Sequence, residues 1–196
     1  AGPAGKHALN VRVLATHGSY GEVEQKVKVT PNTGYALGAW LKSSAKNLAF
    51  MQIKLYRERR EIQRITGEKS GTEWQHLTQN FHTGEADQVG VICRYLQNDG
   101  AVGQSVAFAD LSLTVAPPPA LGDARAVATF DAVGIRASCQ GAVGPRARCQ
   151  MRYRRAGSND WLTGFPLFFC PTDNEFRGSI VALRPGTAYE IELWLE

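Results

Sequence analysis

Residues 27–42 read VKVTPNTGYALGAWLK and combine a turn signal with a clear strand pattern. The middle of this segment, PNTG at residues 31–34, supplies the backbone angles that a chain reversal requires. Apolar residues then occupy every other position, at Tyr35, Leu37, Ala39 and Leu41. Period-two alternation places such side chains on one face of a β-strand. The segment therefore predicts a strand, a turn and a second strand with one buried face.

The same alternation recurs in further segments along the first 115 residues. Turn-forming clusters at residues 70–71 and 98–100 separate some of these segments. No stretch combines helical periodicity with an N-cap and a glycine stop. About seven strands of this kind are typical of a β-sandwich, so the predicted fold class is all-β. The further alternating sets are Leu9, Val11 and Val13; Val23, Gln25, Val27 and Val29; Met51, Ile53 and Leu55; Leu77 and Phe81; Val89, Val91 and Cys93; and Leu111, Leu113 and Val115.

A proline run divides the chain. Residues 116–120 read APPPA, and consecutive prolines remove backbone donors and favour an extended spacer. The length of 196 residues also exceeds the commonest domain size of about 100–150 residues. We therefore predict two β-sandwich domains, at residues 1–115 and 121–196, joined by a linker at residues 116–120.

Composition excludes several classes of function. The formal net charge is only +4, without the dense basic patch that nucleic-acid binding requires. No apolar run approaches the roughly 18 residues of a membrane-spanning helix. The histidines fall in no recognised nucleophile or metal spacing, and the Gly-x-Ser-x-Gly elbow is absent. We expect no membrane span and no catalysis within this chain.

The cysteines are unevenly placed, with Cys93 alone in the first half and three others close together in the second. The sequence contains no Cys-x-x-Cys pair of the kind that binds zinc. Disulfide formation in an oxidising compartment is therefore the better explanation of the clustered cysteines. Cys149 and Cys170 flank a predicted hairpin centred at residues 157–160 at nearly equal offsets. We predict that these two form a disulfide; a Cys139–Cys149 pair is the alternative.

Four motifs in order resemble one large family. They are residues 27–42, then GTEWQHL at residues 71–77, FHTG at residues 81–84, and FADLSL at residues 108–113. Together they resemble the jelly-roll carbohydrate-binding modules appended to xylanases and cellulases, across about 100 residues. The resemblance implies a jelly roll and a polysaccharide partner.

The chain departs from that family at two points. The family's opening strand, with its Glu, would lie before Ala1, so we expect the polypeptide to extend further in that direction. The family's structural calcium draws on that Glu and on an acidic pair near the last strand, where this chain has only Asp110. We therefore expect no cofactor and do not favour calcium.

The second domain resembles a fibronectin type III module. The string LRPGTAY at residues 183–189 carries this resemblance, which implies that the Tyr189 hydroxyl anchors a corner between two strands. The chain ends at Glu196, before the final strand of that family. We expect the polypeptide to continue there as well.

A sugar-binding surface needs an aromatic face for the apolar side of a pyranose, bordered by planar polar groups. Alternation sends one set of such side chains outward from the core: Trp40, Gln52, Lys54, Tyr56 and Arg94. The resemblance implies that they share the ligand-bearing sheet, and we predict that they form one accessible glycan-binding face.

These observations lead to one functional hypothesis and its alternatives. We expect a non-catalytic carbohydrate-binding and spacer region of a larger secreted, polysaccharide-acting protein, extracellular or at a bacterial cell surface or in the periplasm. The alternative is a structural or adhesive β-sandwich array that positions a neighbouring catalytic domain without binding sugar. A catalytic domain beyond Glu196 is a third hypothesis, by fold analogy.

Overall fold

The computed structural model describes residues 2–5, 7–15, 18–171 and 173–196. These residues form fifteen β-strands and two single-turn 3-10 segments, so the predicted all-β class is confirmed. No helix among them is long and apolar enough to cross a membrane. The strands are β1 Ala8–Arg12, β2 Tyr20–Lys28, β3 Gly34–Ser43, β4 Ala49–Arg57, β5 Arg60–Lys69, β6 Gln75–His82, β7 Gln88–Leu96, β8 Ser105–Val115, β9 Ala120–Ala128, β10 Val133–Gln140, β11 Cys149–Arg155, β12 Leu162–Thr163, β13 Phe168–Cys170, β14 Glu175–Ile180 and β15 Tyr189–Leu195.

The chain divides into two compact units, within residues 1–116 and 117–196. The first unit contains a first sheet, ordered β1-β8-β3-β6, and a second sheet, ordered β2-β7-β4-β5. The second unit contains a third sheet, ordered β13-β14-β10-β9, and a fourth sheet, ordered β12-β11-β15. The strand pairs within these sheets are antiparallel. This arrangement leaves each sheet with one inner and one outer face.

The core of the first unit follows from the alternation. Leu37 and Leu41 of the first sheet pack in one cluster with Ile53 and Leu55 of the second, and all four are almost fully buried. Burying a leucine or isoleucine side chain is worth about 1.5–3 kcal/mol relative to leaving it exposed. The hydrophobic effect therefore holds the two sheets face to face, and residues of opposite parity face outward.

In the second unit, the tyrosine predicted to anchor a corner does so. The chain leaves β14 in the third sheet and enters β15 in the fourth. Between them, the Arg184 backbone N–H donates a hydrogen bond to the Tyr189 hydroxyl at 3.1 Å. The turn needs a left-handed residue, which Gly186 supplies at φ 63°. This bond fixes the point where the chain crosses between the sheets.

The first unit repeats this device, which sequence analysis treated only as a turn. The chain leaves β2 in the second sheet and enters β3 in the first. The Thr30 N–H donates to the Tyr35 hydroxyl at 3.1 Å, and Asn32 adopts the left-handed conformation at φ 52°. The hydroxyl of buried Thr83 also accepts a hydrogen bond from the Thr33 N–H. Both units therefore use the same local geometry at a crossing between sheets.

A β-bulge shifts the alternation along β8. Gly38 pairs with Ser112 and Trp40 with Ala109, so Asp110 and Leu111 together lie opposite Ala39. Asp110 takes a positive φ of 54° there, as bulges often require. Before the bulge the even-numbered side chains of β8 face the core, and beyond it the odd-numbered ones do.

The predicted disulfide between Cys149 and Cys170 is wrong: all four cysteines are free. Cys149 lies in the core of the second unit together with Cys139, whereas Cys170 is only partly buried. On β13, Phe169 faces inward against Phe176, so Cys170 must point outward, where its Sγ contacts the Asp173 carboxylate at 3.4 Å. Cys139 and Cys149, the alternative pair, share the core without bonding.

Replacing Tyr189 by Phe should lower the free energy of unfolding of the second unit by about 1 kcal/mol, because the Arg184 N–H loses its acceptor. Hydrogen-exchange mass spectrometry of peptides from residues 117–196 would measure this. Tyr153→Phe is the matched control, since that ring packs on Tyr189 but its hydroxyl has no hydrogen-bond partner among the described residues. Equal protection in the two variants would contradict the anchoring role.

Alkylation of the native protein with iodoacetamide should modify Cys170 first. Burial raises the pKa of Cys93 to about 12 and that of Cys149 to about 11, which suppresses their reactive thiolates. Peptide mapping by mass spectrometry gives the order of labelling, with a urea-denatured sample as the control. Protection of both Cys149 and Cys170 that disappears only after reduction would contradict this assignment.

Candidate functional site

Four of the five predicted site residues share one surface. Gln52, Lys54 and Tyr56 follow one another at alternate positions of β4, and Arg94 lies on the neighbouring β7. The residues between them, such as Ile53, face the core. The four side chains therefore lie on the outer face of the second sheet, as alternation predicted. We call this surface the β4 face.

Trp40 is not part of the β4 face, and the prediction that it shares a face with the other four is wrong. Trp40 lies on β3, in the first sheet, where it pairs with His76 and Ala109. Because Leu41 faces the core, Trp40 points away from it, on the opposite side of the sandwich from the β4 face. Its ring makes an edge contact with His76, with centroids 5.2 Å apart.

Charged side chains cross the β4 face as a ladder. Glu22 of β2 accepts a hydrogen bond from Arg94 Nε at 3.0 Å and another from Lys54 Nζ at 3.2 Å. Lys54 also lies 3.8 Å from the carboxylate of Glu24. Placing opposite charges next to one another across strands compensates part of the cost of removing them from water. These hydrogen bonds, the Arg94 bond foremost, lower the pKa of Glu22 and keep it ionised.

The ladder continues to Tyr56. The Tyr56 hydroxyl donates to Glu24 at 2.9 Å, and the Lys26 ammonium lies 4.1 Å from the centre of the Tyr56 ring. Burial, reinforced by the Glu24 carboxylate, raises the pKa of Tyr56 to about 12. Gly90 makes this contact possible, because a Cβ there would come within 2.2 Å of the Glu24 carboxylate and 3.1 Å of the Tyr56 ring.

Tyr20 adds an exposed aromatic ring at the start of β2. It is 47% exposed, and the Arg94 guanidinium stacks on it at 3.9 Å from the ring centre. Such stacking is favourable and fixes the plane of the guanidinium. Tyr20 therefore supplies the accessible ring that Trp40 was expected to supply to this face.

Gln52 holds the one unpartnered polar atom recorded among the described residues of the β4 face. Its Nε2 donates to the Thr66 hydroxyl at 3.0 Å, whereas its Oε1 is buried without a hydrogen-bond partner. Leaving such an acceptor unsatisfied costs about 1–3 kcal/mol. The Thr66 contact therefore uses one side of the amide and leaves Oε1 as a buried acceptor without a partner.

The predicted residues are less accessible than expected. The exposed fractions are 3% for Gln52, 8% for Lys54, 7% for Tyr56 and 7% for Arg94. Sequence analysis missed Glu22, Glu24 and Tyr20, which bind or cover them. Alternation with Val23 on β2 indicated that these three side chains point outward. It could not indicate their partners, because those lie far along the chain: Glu22 and Arg94 are 72 residues apart.

The chemistry of the β4 face suits binding rather than acid–base catalysis. A general acid needs a carboxyl group with a raised pKa, whereas Arg94 and Lys54 lower that of Glu22. No cluster of three or more His, Cys, Asp or Glu side chains that could hold a metal occurs in the part of the chain that the structure describes. What the face offers is fixed donors, one free acceptor and an aromatic ring.

Comparison with known proteins gives structural neighbours only. No family model matches the chain, and no curated protein matches it. A solved "Family 16 Carbohydrate Binding Module-2" is similar with a TM-score of 0.40 and 22% identity over 57% of this chain and 87% of that chain. A structure titled "CBM4 structure and function" is similar with a TM-score of 0.41 and 12% identity, over 58% of this chain and 85% of that one.

A third neighbour is the N-terminal CBM22-1–CBM22-2 tandem domain of Paenibacillus barcinonensis Xyn10C. Its TM-score is 0.42 and its identity 9%, with 100% of this chain and 84% of that chain covered. These overall similarities are weak and do not establish a family for this chain.

Replacing Glu22 by Gln should lower the free energy of unfolding at pH 7 by about 1.5–3 kcal/mol, because two buried cations lose their charged acceptor. Because the pKa of Glu22 is lowered on folding, its stabilisation is present above the unfolded-state value of 4.5. It is lost as the pH falls through the folded-state value. Urea titrations at pH 7 and below pH 4.5 should show the difference between wild type and variant shrinking with acid.

Glu85→Gln is the control for this variant. Glu85 pairs with Arg57 on the surface, where its side chain is 74% exposed, and such pairs contribute about 0–1 kcal/mol. If Glu22→Gln costs no more than Glu85→Gln at pH 7, the ladder does not stabilise the sheet.

Proposed function

We propose that the first unit is a non-catalytic carbohydrate-binding module whose ligand lies on the β4 face. The observation that carries the proposal is the Gln52 amide, which donates to Thr66 and holds a buried, unpartnered acceptor on the same face as the charged ladder. A sugar hydroxyl is a donor that would satisfy it. We further propose that residues 1–115 form a jelly-roll module, residues 116–120 a linker, and residues 121–196 a fibronectin type III-like spacer.

The face combines the two groups that sugars require. Tyr20 presents an exposed ring for the apolar side of a pyranose. Gln52 supplies an acceptor, and Arg94 and Lys54 supply donors whose orientation the ladder already fixes. The ladder orders Arg94 and Lys54 before the ligand arrives, which lowers the entropic cost of contacts to those two side chains.

A polymer would contact the exposed rim at Tyr20 first. Gln52 is 3% exposed, so a hydroxyl reaches its Oε1 only as the overlying side chains move aside. The contact area between one sugar and the Tyr20 ring is small, and the sugar hydroxyls only exchange hydrogen bonds to water for hydrogen bonds to protein groups. We therefore expect moderate affinity and a preference for a polymer over its monomer.

The second candidate is a structural or adhesive array that positions a neighbouring domain of a larger secreted protein. The observation that favours it is the ladder itself, since Glu22 already satisfies Arg94 and Lys54 internally. A face of this kind needs no ligand to be stable. The two functions therefore differ in whether Gln52 and Tyr20 contribute to retention of any polymer.

Affinity electrophoresis of the whole chain against plant, algal and bacterial polysaccharides tests the proposal. Gln52→Leu should weaken retention about fivefold, and Tyr20→Ala by about threefold to tenfold, from the loss of one hydrogen bond and one stacking contact. Tyr20→Phe should retain binding, since it keeps the ring.

Trp40→Ala is the control on the opposite sheet, and it should leave retention unchanged. If Trp40→Ala alone abolishes retention, the ligand lies on the first sheet and the β4 face is not the site. If the folded wild-type chain is retained by no polymer in the panel, the structural array becomes the better explanation.

A further inference from the structure

Three arginines stand side by side on the outer face of the third sheet. Arg125 of β9 pairs directly with Arg136 of β10, and Arg136 pairs with Arg177 of β14. Phe168 of β13 is the next residue across the sheet. Neighbouring strands lie about 4.8 Å apart, so these four side chains form one continuous line, which we call the arginine row.

The row faces away from the core of its unit. Ile135, Ala137 and Phe176, which alternate with Arg136 and Arg177, are all buried. Arg125 and Arg136 are exposed, and Phe168 is 75% exposed. The row therefore ends in an exposed aromatic ring, next to Arg177 on the adjacent strand.

The arginines are unequally compensated. Arg177 lies 2.6 Å from Asp173 and 2.9 Å from Glu175. Among the described residues, by contrast, neither Arg125 nor Arg136 has an ion-pair partner within 4.0 Å. Like charges directly opposite one another on adjacent strands are destabilising. The pairing of Arg125 with Arg136 therefore does not contribute to the stability of the sheet.

The fourth sheet shows the contrasting arrangement. There Arg152 pairs with Glu192 and Arg154 with Glu190 directly across the strands. Both guanidiniums also stack on Trp161. The same unit therefore neutralises its arginines on one outer face and leaves two open on the other.

A depression of about 710 Å³ lies over the three arginines of the row. Its lining includes Gly134, which leaves room above the sheet, and the polar side chains of Asp123, Ser138 and Glu175. The depression thus offers the guanidiniums of Arg125 and Arg136, which have no ion-pair partner among the described residues, together with flanking acceptors. The Phe168 ring lies outside it, next to Arg177 at the end of the row.

We propose that the arginine row binds the carboxylate groups of an acidic polysaccharide, a polymer that contains uronic acid residues. Arg125 and Arg136 present planar forks that hydrogen-bond a carboxylate with two parallel bonds. Phe168 packs against the apolar side of a sugar ring, and the carboxylates of Asp123 and Glu175 accept bonds from its hydroxyls. This site lies in the second unit and does not rest on the β4 face.

The acids beside the row decide against a nucleic acid. Duplex DNA carries one negative charge for about every 1.7 Å of its axis, so its phosphates would meet Asp123 and Glu175 as well as the arginines. A uronic acid polymer carries neutral hydroxyls between its carboxylates. It places a charge at the arginine pair and hydroxyls at the acids.

Affinity electrophoresis of the whole chain in polygalacturonic acid, and in its fully methyl-esterified form, tests the site. The ester keeps the sugar backbone and removes the charge. Polygalacturonic acid should retard the protein and the ester should not. Raising the ionic strength from about 0.1 M to about 1 M, which shortens the Debye length from about 10 Å to about 3 Å, should abolish the retardation.

The double variant Arg125→Gln, Arg136→Gln should bind polygalacturonic acid at least tenfold more weakly, about the loss expected for charged hydrogen bonds. Its thermal midpoint without polymer should equal or exceed that of wild type, because the repulsion is removed. Phe168→Ala should weaken retention without changing the salt dependence. The matched control removes two exposed arginines elsewhere, Arg146→Gln with Arg184→Gln, and should retain binding.

Three results would overturn the proposal: equal retardation by the ester, equal loss in the Arg146 and Arg184 control, or tighter retention on duplex DNA than on polygalacturonic acid. Gln52→Leu separates the two sites, because it should weaken binding at the β4 face and leave polygalacturonic acid binding intact. Failure of one proposal therefore leaves the other open to its own test.

Discussion

Both units depend on a tyrosine that fixes the turn where the chain passes from one sheet to the other. In each, the hydroxyl accepts the backbone N–H of the residue five positions earlier, Thr30 for Tyr35 and Arg184 for Tyr189. A turn of this kind sets the direction in which the next strand enters the facing sheet. Each tyrosine ring then packs against an aromatic neighbour, Phe81 or Tyr153, so the same residue ties the turn to the sandwich.

With the sheets fixed, electrostatics distinguishes their outer faces. On the second sheet Glu22 lies between Arg94 and Lys54, and each buried cation has an acceptor. On the third sheet Arg125 and Arg136 pair across the strands, and neither has an ion-pair partner in the part of the chain that the structure describes. Compensated charges make a face rigid and self-contained, while uncompensated ones leave a field that an anion can satisfy. The outer faces of the two units therefore differ in how their charges are paired.

Features that depend on neighbours along the chain could be predicted from the sequence. Period-two alternation fixes which side chains of one strand point inward, so it placed Gln52, Lys54 and Tyr56 together on an outer face. The Tyr189 anchor could also be predicted, because its hydrogen bond closes within the short segment LRPGTAY. Steric limits on a turn and the pleat of a strand act over a few residues, and the local sequence therefore encodes them.

Which strands become neighbours could be seen only in the folded sandwich. Alternation along β3 predicts that Trp40 points outward, but it does not predict to which sheet β3 belongs. In the structure, β3 lies in the sheet opposite the one that contains β4. Parity within β13 likewise turned Cys170 away from Cys149, which the spacing of the two residues could not reveal. The Glu22–Arg94 contact and the pairing of Arg136 with Arg177 join strands that are separate in sequence. Such pairings are set by the burial of whole sheet faces, a property of the assembled sandwich rather than of any one segment.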